Sequence, residues 1–205
     1  MNIILVILFA ITLIYLSITE RFRTYATIVG IQGTLLFVLA FLELEKITLG
    51  TLLFVTTETL VFKVIVVPYM LLRIIRRTGI ERVHEKALPG FYSVLFVSAG
   101  LILSIVVSFS LKTTPVNLIH FIVSLFAVYT GLFIIISHKK IFAHLIGFLV
   151  IENAVLLLSL AIGSQIPMLI NMGILLDIFV SVLILGIFVM RLKENAHELT
   201  MLRDE

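Results

Sequence analysis

The chain of 205 residues contains no cysteine, and only 13% of its residues are charged. The absence of cysteine excludes disulfides, thiolate zinc sites, iron–sulfur ligation and a cysteine nucleophile. Soluble domains have a much larger share of charged residues, roughly 25%. Hydrophobic side chains make up 61% of the chain, and its mean hydropathy is +1.25. These values exclude a water-facing globule and predict an integral membrane protein.

The apolar stretches predict an all-α, polytopic transmembrane protein, because a helix needs about 20 apolar residues to cross the hydrocarbon core. Seven such spans would fill most of the chain and leave only short loops. We therefore expect a single transmembrane domain over residues 1–205. The predicted spans are 2–19, 24–42, 48–72, 91–111, 115–137, 141–162 and 167–190, and residues 191–205 are predicted to form a cytoplasmic tail.

The basic residues predict the orientation of these spans. Twelve of the 15 Lys and Arg residues fall in one set of alternating connections, including the tail. Positive charge marks the cytoplasmic side of membrane proteins. We therefore predict an external N-terminus and a cytoplasmic C-terminus in a multi-pass protein of a prokaryotic cell (inner) membrane. Topology accounts for the basic residues, so no nucleic-acid partner is expected.

Ionisable residues within predicted spans mark candidate functional positions, because a charge in the hydrocarbon core of the membrane costs several kcal/mol. Glu152 and Asp177 each lie ten or eleven residues from the short connection between the last two spans. At about 1.5 Å per residue, both would lie near the middle of the membrane. Gln32 and Glu58 flank the connection between the second and third spans in the same way. The sequence therefore predicts polar groups at one depth.

Lys63 follows Glu58 by five residues, which in an α-helix separates two side chains by about 140°. We therefore expect each to face a neighbouring span. Pro68 has no backbone N–H, so one carbonyl near Val64 lacks its helical hydrogen bond and is expected to hold a water molecule beside Lys63. These polar groups form either a path for protons or ions, or static interhelical contacts. His144, eight residues before Glu152, either marks the cytoplasmic mouth of such a path or extends to the membrane surface.

No other class of site is indicated by the motifs. The sequence contains no nucleotide-binding glycine motif and no metalloprotease or serine-hydrolase signature. A bis-histidine haem is disfavoured, because His120 and His144 would differ in depth by roughly 17 Å. His138, followed by two lysines, is expected to be an ordinary cytoplasmic flank. We expect no cofactor and no metal on this chain.

The segment Ile146-Gly-Phe-Leu-Val-Ile-Glu-Asn-Ala-Val-Leu-Leu-Leu-Ser-Leu160, followed by Pro167 and Gly173-Ile-Leu-Leu-Asp177, resembles hydrogenase-4 component E. That family comprises membrane subunits of energy-converting hydrogenase and formate hydrogenlyase-type complexes. The third span, with Lys63, Pro68 and its basic ending, is also similar to the family. The span of Glu152 and Asn153 resembles the glutamate-bearing helix of the small three-span subunit of complex I and Mrp antiporters.

The resemblance implies a non-catalytic subunit of a complex I-like oxidoreductase. Antiporter-like and other membrane subunits would flank it, and a soluble iron–sulfur and hydrogenase arm would contact it indirectly. The expected path for protons or sodium ions runs through Glu58, Lys63, Glu152, Asp177 and His144, with Gln32 and Asn153 as supporting polar groups. A structural linker in the same kind of complex and an independent small ion transporter are the alternatives.

Overall fold

A computed structural model describes residues 2–42, 56–78, 90–110, 117–138 and 141–162 of the chain. Every element among these residues is a helix, so the all-α prediction is confirmed for this part of the chain. The helices are α1 (Asn2–Ile18), α2 (Phe22–Leu42), π1 (a π-helix, Thr56–Val66), α3 (Val67–Thr78), α4 (Gly90–Ser110), α5 (Leu118–Ser137) and α6 (Ile141–Ile162).

Four of the described helices, α2, α4, α5 and α6, are long and apolar enough to cross a membrane. Helix α1 has 17 residues and is also apolar. At about 1.5 Å per residue, a helix of 20 residues is about 30 Å long, the thickness of the hydrocarbon core. The predicted span 167–190 and the tail 191–205 lie outside the described residues, as does the first part of the third span.

The third predicted span differs from its helix at the C-terminal end. The prediction ends this span at Leu72, before Arg73, but α3 continues to Thr78. Charged residues end an apolar stretch without breaking the backbone hydrogen bonds of a helix. Arg73 and Arg76 are exposed, whereas Leu71 and Ile75 are buried. The end of α3 is therefore amphipathic and packs one face against the bundle.

Helices α1, α2, α6 and α5 form a closed ring in which each helix contacts the next. Helix α4 packs outside the ring against α1 and α5, and the third span, π1 with α3, packs against α2. The third span and α2 are antiparallel, because Gly30 faces Pro68 while Gly33 faces Lys63. Arg21 and Arg23, at the start of α2, therefore lie at the same end of the bundle as the exposed arginines of α3. We call this end the basic end.

The hairpin of α5 and α6 is fixed by two glycines that face each other. A Cβ atom added to Gly131 would lie 2.7 Å from the Gly147 carbonyl oxygen, and one added to Gly147 would lie 2.7 Å from the Gly131 carbonyl oxygen. Such close backbone approach is typical of small residues at helix interfaces in membranes. The backbone N–H of Asn117 also donates to the backbone carbonyl of Ala161 at 2.9 Å. Both contacts imply one register, which places Glu152 level with the middle of α5.

Candidate functional site

An ion pair lies in the middle of the bundle, where Lys63 of π1 meets Glu152 of α6. The distance between Lys63 Nζ and Glu152 Oε1 is 3.6 Å, and each residue is only 5% exposed. Glu152 is eleven residues from the start of α6 and ten from its end. Both charges are therefore about 15 Å from either end of that helix. Each charge therefore has a neighbour of opposite sign, which offsets part of the cost of its burial.

Amide side chains extend this site across the ring. Asn153 Nδ2 donates to Gln32 Oε1 at 3.3 Å, and Gln32 Nε2 donates to Thr12 Oγ1 at 3.0 Å. The Thr12 hydroxyl donates in turn to the Phe9 carbonyl at 2.6 Å. We call Thr12, Gln32, Lys63, Glu152 and Asn153 the mid-helix cluster. It joins α1, α2, π1 and α6 at one level of the bundle.

The approach of π1 to α2 depends on small residues. A Cβ atom at Gly33 would lie 3.0 Å from the carbonyl carbon and oxygen of Lys63, and one at Gly30 would lie 3.0 Å from Pro68 Cγ. The Lys63 backbone is therefore against α2, and its side chain extends past α2 to Glu152 on α6. A larger side chain at Gly33 would displace Lys63 from this position.

The π-helix corrects the predicted geometry of the third span. The 140° separation of Glu58 and Lys63 assumed an α-helix, but the backbone from Thr56 to Val66 is a π-helix. Its i→i+5 hydrogen-bond pattern places backbone positions five apart one turn from each other. The separation is therefore wrong for this segment, although the side chain of Glu58 lies outside the described residues. Long π-helices are rare, and π segments are frequent at functional sites.

The structure describes only some of the other residues that were expected on the path. His144 is half-buried on α6, eight residues and about 12 Å from Glu152 toward the basic end. Asp177 lies outside the described residues, so its expected level with Glu152 stays a prediction. His120 is buried, 1% exposed, near the opposite end of α5. Among the described residues, no three His, Cys, Asp or Glu side chains form a group that could hold a metal ion.

A second polar cluster lies at the basic end, where the sequence predicts an ordinary cytoplasmic flank. His138, directly after α5, is 5% exposed, and so the expectation of an ordinary flank is wrong. Its Nδ1 atom is 3.0 Å from the Ile134 carbonyl and 2.9 Å from Ser137 Oγ. Its Nε2 atom is 3.5 Å from the Tyr25 hydroxyl, which is 3.2 Å from the Thr19 carbonyl. We call Thr19, Tyr25, Ser137 and His138 the basic-end cluster.

Sequence reasoning missed five members of these clusters: Thr12, Thr19, Tyr25, Ser137 and His138. Thr12 and Tyr25 are single hydroxyl residues within apolar helices, a pattern common at any membrane interface. The pair Lys139-Lys140 favours a solvated position for the residue before it. The only signal for burial is that Ser137 and His138 directly follow the apolar stretch of α5.

Comparison with known proteins provides one distant relative. An uncharacterized protein of Mycobacterium tuberculosis, Rv0085, is 23% identical over 177 residues, which cover 83% of this chain and 79% of that protein. No family model matches the chain. No solved structure matches it.

Proposed function

We propose that this chain is a cofactor-free membrane subunit of a complex I-like energy-converting hydrogenase, and that it contributes to a lateral path for protons or sodium ions. Redox chemistry would take place in partner subunits. The chain would cross a prokaryotic cell membrane seven times, with its N-terminus outside and its C-terminus in the cytoplasm. Antiporter-like subunits would lie beside it in the membrane.

The observation that carries this proposal is the buried ion pair of Lys63 and Glu152. Buried charges in a membrane are rare and usually mark proton or ion pathways. Proton transfer from the ammonium group to the carboxylate converts the ion pair into a neutral pair, so the pair can hold its proton at two places. Glu152 and Asn153 also lie in the segment that resembles hydrogenase-4 component E.

The amide groups of the mid-helix cluster support a path that runs across the ring and not along one helix. Gln32 and Asn153 connect Glu152's helix to α1 through side-chain hydrogen bonds. Amide and hydroxyl groups can also bind water that carries protons between titratable groups. The cluster thus brings an ion pair and polar groups from α1, α2, π1 and α6 to one depth, as a lateral path requires.

The same contacts also favour a second candidate, a structural linker between antiporter-like subunits. Gln32 and Asn153 bond to each other at 3.3 Å, as interhelical amides do in static membrane bundles. In that role the ion pair would hold π1 against α6 without exchanging protons. An independent small transporter is the third candidate. These three candidates differ in whether the chain assembles with partner subunits and in the effect of removing the carboxyl group of Glu152.

Assembly is tested by purifying the tagged chain from native membranes in mild detergent. We expect it to copurify with antiporter-like subunits and with a soluble arm that contains iron–sulfur clusters. Purification of the chain free of such subunits would contradict both subunit roles and support the independent transporter.

The path is tested with Glu152→Gln, which keeps the shape and hydrogen bonding of the side chain but cannot titrate. We expect the complex to assemble, and its electron transfer to be slowed or uncoupled from ion movement in inverted membrane vesicles. Asp177→Asn is expected to have a milder effect. Val155→Gln places the same amide on the exposed face of α6 and serves as the control. Wild-type rate and stoichiometry in Glu152→Gln would contradict the path and favour the linker.

A further inference from the structure

His138 of the basic-end cluster is enclosed by groups from three segments. It directly follows α5 in an extended conformation, with φ −127° and ψ 137°. The ring of Tyr25 meets the imidazole edge-on, with centroids 6.3 Å apart. Phe22 lies beside Tyr25, with ring centroids 6.2 Å apart, and forms an edge-on pair with Phe142 at 4.6 Å. The histidine therefore lies between the ends of α1, α5 and α6 and the start of α2.

Hydrogen-bond geometry assigns the proton on Nδ1 of His138. The Ile134 carbonyl, 3.0 Å away, can only accept, so a hydrogen bond between the two requires Nδ1 to donate. In the neutral imidazole the other nitrogen, Nε2, is then an acceptor that faces the Tyr25 hydroxyl at 3.5 Å. Ser137 is free to donate its own hydroxyl proton to the Ile134 carbonyl.

The same cluster can also accommodate a second proton on His138. The Tyr25 oxygen is closer to the Thr19 carbonyl, at 3.2 Å, than to His138 Nε2, at 3.5 Å. When the Tyr25 hydroxyl donates to that carbonyl, a lone pair of its oxygen faces Nε2. A protonated Nε2 can then donate to Tyr25, so that each of the three donors has an acceptor. Rotation of one hydroxyl group thus switches the cluster between the two charge states.

An exposed carboxylate directly follows Thr19 of the cluster. Glu20 lies in the turn between α1 and α2, five residues before Tyr25. Arg21 and Arg23 are exposed on the same turn and helix, and His144 is half-buried on α6. The exposed Arg73 and Arg76 of α3 lie at the same end of the bundle, and Lys139 and Lys140 follow His138 in the sequence.

We propose that Tyr25 and His138 form a proton-uptake site at the basic end of the bundle. Tyr25 transfers its hydroxyl proton to His138 Nε2 and takes a proton from water hydrating Glu20. The net change is one proton moved from water to the imidazole, which becomes a cation, while Tyr25 is restored. Histidine suits this step because its ordinary change of charge falls between about pH 5 and 8.

The onward step rests on the proposed function, in which Glu152 and Lys63 exchange protons. Tyr25 precedes Gln32 by seven residues on α2, so the two clusters are about 10 Å apart along that helix. Buried apolar residues fill the intervening turns, including Val29 on α2 and Leu149 on α6. This apolar layer separates the uptake site from the mid-helix cluster, so a proton loaded on His138 needs transient water to move on.

The uptake site is tested first by nitrogen NMR of the imidazole groups in the full chain, reconstituted in lipid nanodiscs. The signal that disappears in His138→Gln identifies His138. We expect it to show the Nδ1–H form at high pH and a second proton at low pH. Tyr25→Phe should move this change to lower pH, since the charged form loses its acceptor. Tyr15→Phe removes an exposed hydroxyl from α1 and should leave it unchanged.

The role in uptake is tested by the pH profile of proton movement in vesicles that contain the whole complex. Loss of a titrating uptake group should change the shape of the profile in Tyr25→Phe but not in Tyr15→Phe. An unchanged profile in Tyr25→Phe would overturn the uptake role. A single protonation state of His138 between about pH 5 and 8 would overturn the proposal whether or not the chain moves protons. The NMR result thus decides the site even if the proposed function fails.

Discussion

Buried polar side chains on α4 and on the ring helices α2 and α6 have different partners. On α4, the Ser104 hydroxyl donates to the Gly100 carbonyl at 2.8 Å, and the Ser108 hydroxyl donates to the Ser104 carbonyl at 2.7 Å. Both hydrogen bonds therefore stay within one helix. On the ring helices, Gln32 and Asn153 bond to each other, and Gln32 also bonds to α1. All four side chains are at most 5% exposed. Equal burial therefore does not imply an equal role in holding helices together.

The difference follows from the reach of the side chains. A serine hydroxyl is close to the carbonyl of the preceding turn and satisfies itself there. The amides of Gln32 and Asn153 have more donors and acceptors than one helix can satisfy, and so they select a neighbouring helix at a fixed depth. Helix α4 lines up small residues against α1 and α5 and leaves large apolar ones outside, whereas α6 places Glu152 and Asn153 toward other helices. Contacts between helices should therefore dominate the energetic cost of substitution.

The largest effect is expected from breaking the ion pair of Lys63 and Glu152. Lys63→Met leaves the carboxylate buried without its cation, and loss of one partner of a buried pair costs about 3–5 kcal/mol. Arg76→Met removes an exposed cation from the same third span and is the control, with an expected change within about 0.5 kcal/mol. Unfolding of the purified chain in mixed detergent micelles measures both.

A double variant, Lys63→Met with Glu152→Gln, separates the charge from the packing. Its loss of stability should be smaller than the sum of the two single losses, because no isolated charge remains. Additive losses would show that the two side chains do not interact.

The next effect concerns the glycine contact of the α5–α6 hairpin. A methyl group at Gly131 would meet the Gly147 backbone, which cannot rotate away, so Gly131→Ala should cost about 1–3 kcal/mol through overpacking. Gly90→Ala is the matched control, because a Cβ atom there has nothing within 4 Å. The unfolding assay compares the two, and equal stabilities would contradict the tight crossing.

The helical fold was largely predictable from the sequence, whereas the site was predictable only in part. Apolar length alone is enough to predict helices, and the depth of Gln32 and Glu152 follows from counting residues to a helix end. The partner of Lys63 cannot be predicted in this way, because the pairing depends on the rotation of π1 about its axis and on which helix packs beside π1. The π-helix has no sequence signal beyond Pro68, which lacks the amide proton that a regular helix needs.

The basic-end cluster shows a second limit of sequence reasoning. His138 leaves α5 in an extended conformation and contacts Tyr25, which comes from a distant part of the chain. Neither is encoded by a local pattern. Two lysines directly follow His138 in the sequence and favour an exposed position for it, whereas its burial depends on tertiary packing.

A moderate effect is expected from breaking the hydrogen bond between the amides of Gln32 and Asn153. Gln32→Leu removes bonds to both Asn153 and Thr12, and interhelical hydrogen bonds of this kind are worth about 0.6–2 kcal/mol. A double-mutant cycle with Asn153→Leu measures the part that belongs to the pair itself. A coupling energy of zero would mean that the amides lie close together without holding the helices.

The smallest effect is expected at α4, where the hydrogen bond returns to its own helix. Ser104→Ala removes a donor whose acceptor, the Gly100 carbonyl, belongs to the preceding turn of the same helix. Methyl replaces hydroxyl with almost the same volume, so the contact of α4 with the bundle is kept. We expect a change within about 0.5 kcal/mol in the unfolding assay, although Ser104 is as buried as Glu152. A loss as large as that of Gln32→Leu would show that α4 also depends on polar contacts between helices, and the distinction between the two kinds of buried polar residue would fail.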